Sequence, residues 1–165
     1  MNHQMAKRLG TWFGLGEMKK APGTFGTLGG IPIFLGLNFL KRFFPNEMMY
    51  NSFYLIFLMT FFALAVYVSD ICEREIYKEK DPQKVVIDEV LGFLTTICLI
   101  NPNGIKEIVL AIVLAFIIFR ILDITKIGPI DRSQQFGSGV GVVLDDFVAG
   151  MIGNFILITI WSIII

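Results

Sequence analysis

The sequence contains one histidine, His3, and two cysteines, Cys72 and Cys98, among its 165 residues. A single histidine cannot supply a mechanism that needs paired histidines, and a Ser-His-Asp triad is not expected at His3. A cysteine phosphatase needs arginine six positions after its cysteine, but the residues there are Lys78 and Gly104. The cysteines also lack C-x-x-C spacing, which excludes a disulfide framework and a typical zinc site.

Charge is scarce as well. Charged residues make up 17% of the chain and hydrophobic residues 55%, whereas a soluble domain carries roughly 25% charged residues. The formal net charge is zero, so no basic field for nucleic acid is expected. A GxxxxGK[ST] phosphate loop is absent. Residues 1–20 lack the apolar region of a signal peptide, and we interpret them as a cytoplasmic segment of a single domain, 1–165.

Long hydrophobic runs dominate the rest of the chain. A membrane-spanning helix needs about 20 mostly apolar residues, and five segments approach that length: 21–40, 48–69, 85–105, 108–124 and 147–165. We therefore predict an all-α, polytopic membrane bundle of about five embedded helices. The first helix is expected to begin near Thr27, and the third reaches full length only if it includes Asp88 and Glu89. Either one could be shortened or partly re-entrant.

Lysine and arginine in the connections predict the orientation. With the N-terminus inside, eleven basic residues lie on the cytoplasmic side: Lys7, Arg8, Lys19, Lys20, Arg74, Lys78, Lys80, Lys84, Arg120, Lys126 and Arg132. Three lie outside: Lys41, Arg42 and Lys106. Among the acidic residues, only Glu47 and Glu107 fall outside. Function is therefore expected on the cytoplasmic face.

The first polar cluster is KKAPGTFGT, residues 19–27. Glycine lets backbone N–H groups approach a ligand, and the N-terminus of a following helix favours an anion. Lys20, Gly23 and Thr24 are therefore candidates to orient a phosphate. A positive-inside anchor followed by a flexible turn is the alternative.

The second cluster is the carboxylate pair Asp88 and Glu89, which interrupts an apolar run. An Asp at the centre of a membrane helix costs about 2.5 to 3.5 kcal/mol on insertion scales. Adjacent helical residues point about 100° apart, so one carboxylate can face a metal while the other supports it or activates water. A solvated helix end is the alternative.

The third cluster places Arg120, Asp123 and Lys126 three residues apart, so that all three can share one helix face. Arginine and lysine suit phosphate, and aspartate suits a cation. An internal ion pair whose long side chains reach toward water would explain the same spacing.

The fourth cluster places three alternating glycines, at positions 137, 139 and 141, before the pair Asp145 and Asp146. Two adjacent acids repel each other, and a cation would relieve that repulsion. Capping of a helix N-terminus is the alternative for one of them.

The remaining charged residues are expected to be less informative. Segment 71–84, between the first and second clusters, alternates in charge sign and is expected to face water, as are Asp131 and Arg132. Asp70, at the depth of the clusters, is a further candidate.

Carboxylates without histidine or cysteine select hard cations such as Mg²⁺, and Mg²⁺ with basic groups is suited to phosphate chemistry. Activated water and a carboxylate nucleophile both remain possible. A carboxylate-lined cation or proton transporter is the alternative, although the outer helix halves carry almost no charge. A CDP-alcohol phosphotransferase is disfavoured because its DG-x-x-AR motif is absent. A purely structural membrane protein would not need so many acids at one depth.

Four motifs, APGTFGTL, VVIDEVLGF, FRILDITKIGPI and GVGVVLDDFVAG, together resemble those of the bacterial phosphatidylglycerophosphatase A family in order and spacing across residues 21–150. Two positions depart from the family pattern: Ile127-Gly128 stands where Pro-x-Pro is frequent, and Val143 where Met is frequent. The resemblance implies Mg²⁺-dependent hydrolysis of phosphatidylglycerophosphate to phosphatidylglycerol and phosphate, the last step of phosphatidylglycerol synthesis. It also implies the bacterial cytoplasmic membrane, with the active site on the cytoplasmic side.

The resulting hypothesis assigns three roles. The expected metal ligands are Asp88, Glu89, Asp145 and Asp146, and the expected catalytic acids are these four with Asp123. The expected phosphate-binding residues are Lys20, Gly23, Thr24, Arg120 and Lys126. Which acid is the base or nucleophile stays open.

Overall fold

The computed structural model describes residues 1–126 and 139–164, and within those ranges it contains helices and no strand. The α-helices are α1 (His3–Gly10), α2 (Pro22–Leu40), α3 (Glu47–Ile71), α4 (Ile87–Thr96), α5 (Ile105–Thr125) and α6 (Gly139–Ile164). Short 3₁₀ turns occupy Leu15–Glu17 and Lys41–Phe43, and a π-helical turn, Cys72–Tyr77, extends α3. The all-α prediction is confirmed.

Within the described ranges, four helical segments are long and apolar enough to cross a membrane: Pro22–Phe43, Glu47–Tyr77, Ile105–Thr125 and Gly139–Ile164. The first begins at Pro22, earlier than the expected start near Thr27. Proline suits the first helical position because its missing N–H needs no partner there. The following glycines stay helical because neighbours pack against them. A Cβ at Gly26 would lie 2.7 Å from that of Val86, and one at Gly30 2.6 Å from the ring of Phe93.

The third predicted segment is only partly helical. Helix α4 has ten residues, a length of about 15 Å against a hydrocarbon thickness of about 30 Å. The chain then continues without a helix from Ile97 to Gly104. The side-chain amide of Asn154 donates to the carbonyls of Thr96, at 3.1 Å, and Cys98, at 2.5 Å. Non-helical backbone is tolerated at membrane depth where protein groups satisfy it in this way.

Two connections meet at one end of the bundle. Lys41 Nζ lies 3.1 Å from Glu47 Oε1 and 3.1 Å from Asn103 Oδ1, and the N–H of Asn103 donates to Glu107 at 2.8 Å. Lys41, Glu47 and Glu107, which were expected on the outer side, therefore lie at the same end of the bundle. Which side of a membrane this end faces remains a prediction.

Among the described helices, α4 and α6 share the most extensive contact, and glycines make their close approach possible. A Cβ on Gly92 would lie 3.0 Å from the carbonyl oxygen of Asp146, and one on Gly150 would lie 2.7 Å from the carbonyl oxygen of Gly92. Small residues let membrane helices pack backbone to backbone. This packing places the first turn of α4, with Asp88, beside the second turn of α6, with Asp146.

Candidate active site

A cleft of about 350 Å³ opens at the end of the bundle opposite Lys41. It lies where α2, α4, α5 and α6 converge, with the loop before α4 along one side. Fourteen residues line it: Ala21, Pro22, Gly23, Asp81, Gln83, Val85, Asp88, Glu89, Arg120, Asp123, Lys126, Val142, Asp145 and Asp146. All five predicted acids are therefore brought together, with three of the five predicted phosphate-binding residues.

The centre of the cleft is a cluster of three carboxylates. Asp88, Glu89 and Asp146 each present an oxygen, and these oxygens lie within 4.8 Å of one another. Asp88 and Asp146 are buried, with 6% and 5% of their surface exposed. Glu89 Oε2 is also buried and has no hydrogen-bond partner within the described ranges. Buried carboxylates this close repel each other unless a proton or a cation intervenes.

The donor set of this cluster fits Mg²⁺. Hard divalent cations prefer oxygen ligands, and Mg²⁺ is commonly bound through one or two carboxylates while keeping several waters. The unsatisfied Glu89 oxygen is a ligand atom that the protein leaves available. The neighbouring cleft has room for water and for a phosphate group. Asp88, Glu89 and Asp146 are accordingly the residues best placed to hold such an ion.

Asp145 is not one of the three clustered carboxylates, although it directly precedes Asp146 in the chain. Its Oδ2 lies 3.0 Å from Lys126 Nζ. Burial alone would lower the pKa of Lys126, but the hydrogen bond and charge of Asp145 outweigh it and raise the pKa above its ordinary value. Helix α6 begins at Gly139, so neither aspartate caps it as the alternative proposed. The metal-ligand role of Asp145 stays a prediction.

Arg120 and Asp123 form the ion pair expected from their spacing, with 2.5 Å between Nη1 and Oδ2. Asp123 in turn is one of the acidic neighbours of Asp146. Arg120 also lines the cleft, and its Nε is buried without a hydrogen-bond partner in the part of the chain that the structure describes. A guanidinium has five N–H donors, so Arg120 can bind an anion while it pairs with Asp123.

Gly23 lets the N-terminus of α2 lie against the carboxylate of Glu89 and the guanidinium of Arg120. A Cβ at this position would lie 2.5 Å from Glu89 Oε1 and 3.1 Å from Arg120 Nη1. Any larger residue would displace one of the two side chains. The first turn of a helix leaves its N–H groups without intrahelical acceptors and favours anions, which supports the predicted contribution of Gly23.

Lys20 and Thr24 do not line the cleft. The side chain of Lys20 is exposed, and Thr24 is half-buried in the first turn of α2. The N–H of Thr24 donates to the carbonyl of Ala21 at 3.0 Å. The phosphate-binding roles of Lys20 and Thr24 therefore stay predictions without a contact to support them.

Two lining residues, Asp81 and Gln83, were not anticipated, because segment 71–84 was expected to face water. Asp81 has a φ of 53°, a left-handed conformation that aspartate tolerates better than most residues. Asp81 remains exposed to solvent on one side, but desolvation at the cleft and the charge of Asp145 raise its pKa, and Lys126 opposes them. The Asp-Pro pair at 81–82 marks a turn, which was the one available signal, but it does not indicate where the turn packs.

Asp70, a further candidate from the sequence, is not a lining residue of the cleft and makes contacts of a structural kind. Its carboxylate pairs with Arg74 at 2.8 Å and accepts a 3.5 Å hydrogen bond from the N–H of Gly139, where α6 begins. Asp131 and Arg132 lie outside the described residues, as does Gly137 of the fourth cluster.

Among the described residues, six acids and two basic residues line the cleft. With every group ionised it would repel a phosphate, unless cations offset the excess negative charge. The arrangement can therefore bind a cation through three carboxylates and present Arg120, Lys126 and a helix N-terminus to an anion beside it.

Comparison with known proteins agrees with this chemistry. The family profile described as phosphatidylglycerophosphatase A matches residues 8–161. A putative phosphatidylinositol-3-phosphatase of Bacteroides thetaiotaomicron is 34% identical over 153 residues, which is 92% of this chain and 90% of the relative. Phosphatidylglycerophosphatase A of Escherichia coli K12 is 31% identical over 152 residues, or 90% of this chain and 79% of the relative. No solved structure matches the chain. The chain belongs to the phosphatidylglycerophosphatase A family and is a phosphatase.

Proposed function

We propose that this protein hydrolyses phosphatidylglycerophosphate to phosphatidylglycerol and inorganic phosphate, in a reaction that depends on Mg²⁺. The main support is the convergence of Asp88, Glu89 and Asp146 beside Arg120, at one end of an apolar helical bundle. A lipid substrate carries its phosphate at the membrane surface, where this end of the bundle would lie.

Asp88, Glu89 and Asp146 would hold the metal ion. When bound, Mg²⁺ neutralises phosphate oxygens and favours attack at phosphorus by polarising the phosphoryl group. The protein's own contribution is to fix the three carboxylates before substrate arrives. Helix α4 supplies two of them from its first turn, and the close packing of α6 supplies the third.

Arg120 and Lys126 bind the non-bridging oxygens of the phosphate. Their charges are held in place by Asp123 and Asp145, at 2.5 Å and 3.0 Å, so they need little reorganisation as charge develops in the transition state. At the N-terminus of α2, Gly23 offers its backbone N–H to the same anion, because Pro22 has no N–H and the N–H groups of Thr24 and Phe25 donate to Ala21. Fixed donors of this kind supply much of the catalysis in phosphoryl transfer.

Hydrolysis requires that water adds its oxygen to phosphorus while the bond from phosphorus to the glycerol oxygen breaks. The glycerol oxygen leaves with a proton, and phosphatidylglycerol and phosphate are the products. Either one of the cleft acids removes the proton of the attacking water, or a carboxylate attacks phosphorus first and displaces the glycerol oxygen, and water then hydrolyses the resulting acyl phosphate to free carboxylate and phosphate. Acid quenching during turnover of ³²P-labelled substrate separates the routes, because only the second leaves label on the protein.

The substrate class is tested by phosphate release from three lipids in mixed micelles, namely phosphatidylglycerophosphate, phosphatidylinositol 3-phosphate and phosphatidic acid. The second is included because of the name of the Bacteroides relative. We expect phosphatidylglycerophosphate to have the highest kcat/KM, and chelation of Mg²⁺ to stop its hydrolysis. A higher kcat/KM for the inositol lipid would overturn the head-group assignment, and full activity after chelation would overturn the metal requirement.

We also propose that the cleft faces the cytoplasm across a bacterial inner membrane, because the basic connections lie at its end of the bundle. Two variants test this orientation in intact cells: Lys78→Cys and Lys106→Cys, each made in a protein from which Cys72 and Cys98 have been removed. A membrane-impermeant maleimide should label position 106 and spare position 78. The reverse pattern would invert the topology.

The transporter alternative is not favoured. An ion path requires polar groups through the full membrane thickness, but the charged residues of the cleft gather at one end. Toward the other end, the buried residues of α4 and α6 are mainly apolar or small, such as Phe93, Leu94 and Leu157.

A further inference from the structure

An apolar groove of about 360 Å³ lies between α2 and α5. Its walls are formed by Leu28 and Ile31 from α2, and by Ile112, Val113, Phe116 and Ile117 from α5. Leu28, Val113 and Ile117 are 41%, 47% and 48% exposed, so the groove is open to whatever surrounds the bundle. Both helices are candidate membrane spans, and in a bilayer that surrounding is hydrocarbon.

The groove is formed by two of the helices that also line the cleft. Helix α2 carries Gly23 at the cleft and Leu28 and Ile31 five and eight residues later, a descent of about 8 to 12 Å at 1.5 Å per residue. Helix α5 carries Arg120 at the cleft and Ile117 and Val113 three and seven residues earlier, a descent of about 5 to 10 Å. The two walls therefore begin at similar depths along the bundle, within about 8 Å of the level of Gly23 and Arg120.

The opposite flank offers a smaller space. A cavity of about 190 Å³ lies between α3, α4 and α6, and two of its lining residues, Thr95 and Asn154, are polar. Next to Asp146, the ring of Phe147 packs against Phe62 with centroids 4.9 Å apart. The amide of Asn154 is already engaged with backbone carbonyls. The flank between α2 and α5 is therefore the wider and more uniformly apolar route from the cleft into hydrocarbon.

We propose that this groove binds an acyl chain of the lipid whose terminal phosphate occupies the cleft, an inference that rests on the proposed function. An acyl chain is already in hydrocarbon before it binds, so the groove acts through shape and van der Waals contact rather than through transfer from water. The groove fixes the position of the lipid along the bundle, so that its phosphate lies beside Arg120 and the carboxylate cluster. Lipid enters sideways from the membrane between α2 and α5.

Filling the groove tests this inference. Val113→Trp narrows it from α5 and Ile31→Trp from α2, and both positions lie well below the cleft. The matched control is Ile56→Trp, a residue of α3 that is 68% exposed and lines neither space. Met151→Trp fills the alternative cavity. Each variant is assayed with dipalmitoyl and dihexanoyl phosphatidylglycerophosphate in the same detergent, and its yield in the membrane fraction is compared with that of the wild type.

We expect Val113→Trp and Ile31→Trp each to lower kcat/KM for the dipalmitoyl lipid at least tenfold, mainly through KM, and to leave the dihexanoyl lipid within about threefold. Ile56→Trp should match the wild type on both. An unchanged ratio between the two lipids in both groove variants would overturn the inference, as would a ratio shifted by Met151→Trp alone. Failure of the proposed function looks different, because the wild type would then release no phosphate from either lipid.

Discussion

The carboxylate of Glu89 lies directly against the backbone of Gly23, so close that a Cβ there would come within 2.5 Å of Oε1. The same Cβ would lie 3.1 Å from Arg120 Nη1. Gly23 thus lets the start of α2 lie against both the carboxylate cluster and the guanidinium of Arg120. A side chain at this position would separate groups that the reaction needs together.

Gly23→Ala should therefore lower kcat/KM about 10- to 100-fold, because displacement of catalytic groups by about 1 Å can cost that much. The matched control is Gly36→Ala in the same helix, where a Cβ would meet nothing within 4 Å. That control should keep full activity and gain slightly in stability, since alanine is the better helix former. Equal activity in the two variants would show that the contact at Gly23 does not matter.

Isosteric amides at the carboxylate cluster should abolish phosphate release. Asp88→Asn, Glu89→Gln and Asp146→Asn each remove a charged ligand while keeping the side-chain shape, so the protein should still insert and fold. Glu107→Gln, at the opposite end of the bundle, is the control and should be fully active. Phosphate release and membrane-fraction yield are measured together. Full activity in both Asp88→Asn and Asp146→Asn would refute the site assignment.

Arg120→Lys keeps the positive charge but loses the planar fork that binds Asp123 and phosphate oxygens together. We expect kcat to fall about 10- to 100-fold, by analogy with the loss of a fixed transition-state donor. The coupling to Asp123 is measured in a double-mutant cycle with Asp123→Asn, where effects should be clearly non-additive. Strict additivity would mean that the ion pair does not position the guanidinium.

Asp81→Asn isolates the charge of the unanticipated acid, because asparagine also tolerates the left-handed conformation at this position. Loss of a carboxylate beside Lys126 and Asp145 should change kcat/KM about threefold to tenfold, equivalent to about 1 kcal/mol. Glu79→Gln, two residues earlier and exposed, should have no effect. If the two variants behave alike, Asp81 lies at the cleft without taking part in the reaction.

The acids of the site could be predicted from the sequence because a charge inside an apolar run is costly and therefore rare. Four acids stand in such runs: Asp88, Glu89, Asp145 and Asp146. The sequence could not indicate which aspartate of the second pair joins the cluster. That choice depends on the rotation of α6 against α4, which the contact between Gly92 and Gly150 fixes. The end of α4 at Thr96 was equally hidden, because Asn154, far along the chain, satisfies the backbone that leaves the helix.

Asp81 and Gln83 were missed for a related reason. An alternating-charge segment is typical of a solvated surface, and only the tertiary packing of the loop before α4 brings these two residues to the cleft. The four long helical spans, by contrast, follow from the length of their hydrophobic runs. The family resemblance predicted a more specific function than the residue types alone.

The most direct test of the central hypothesis is cation binding at Asp88, Glu89 and Asp146, measured without turnover. Mn²⁺ can substitute for Mg²⁺ at oxygen sites, and its binding to the purified protein in detergent can be followed by electron paramagnetic resonance. We predict saturable binding to the wild type that Mg²⁺ displaces, and at least tenfold weaker binding to Glu89→Gln and Asp146→Asn, with Glu107→Gln unchanged. Equal Mn²⁺ affinity in the wild type and in both cluster variants would contradict a metal site formed by these carboxylates.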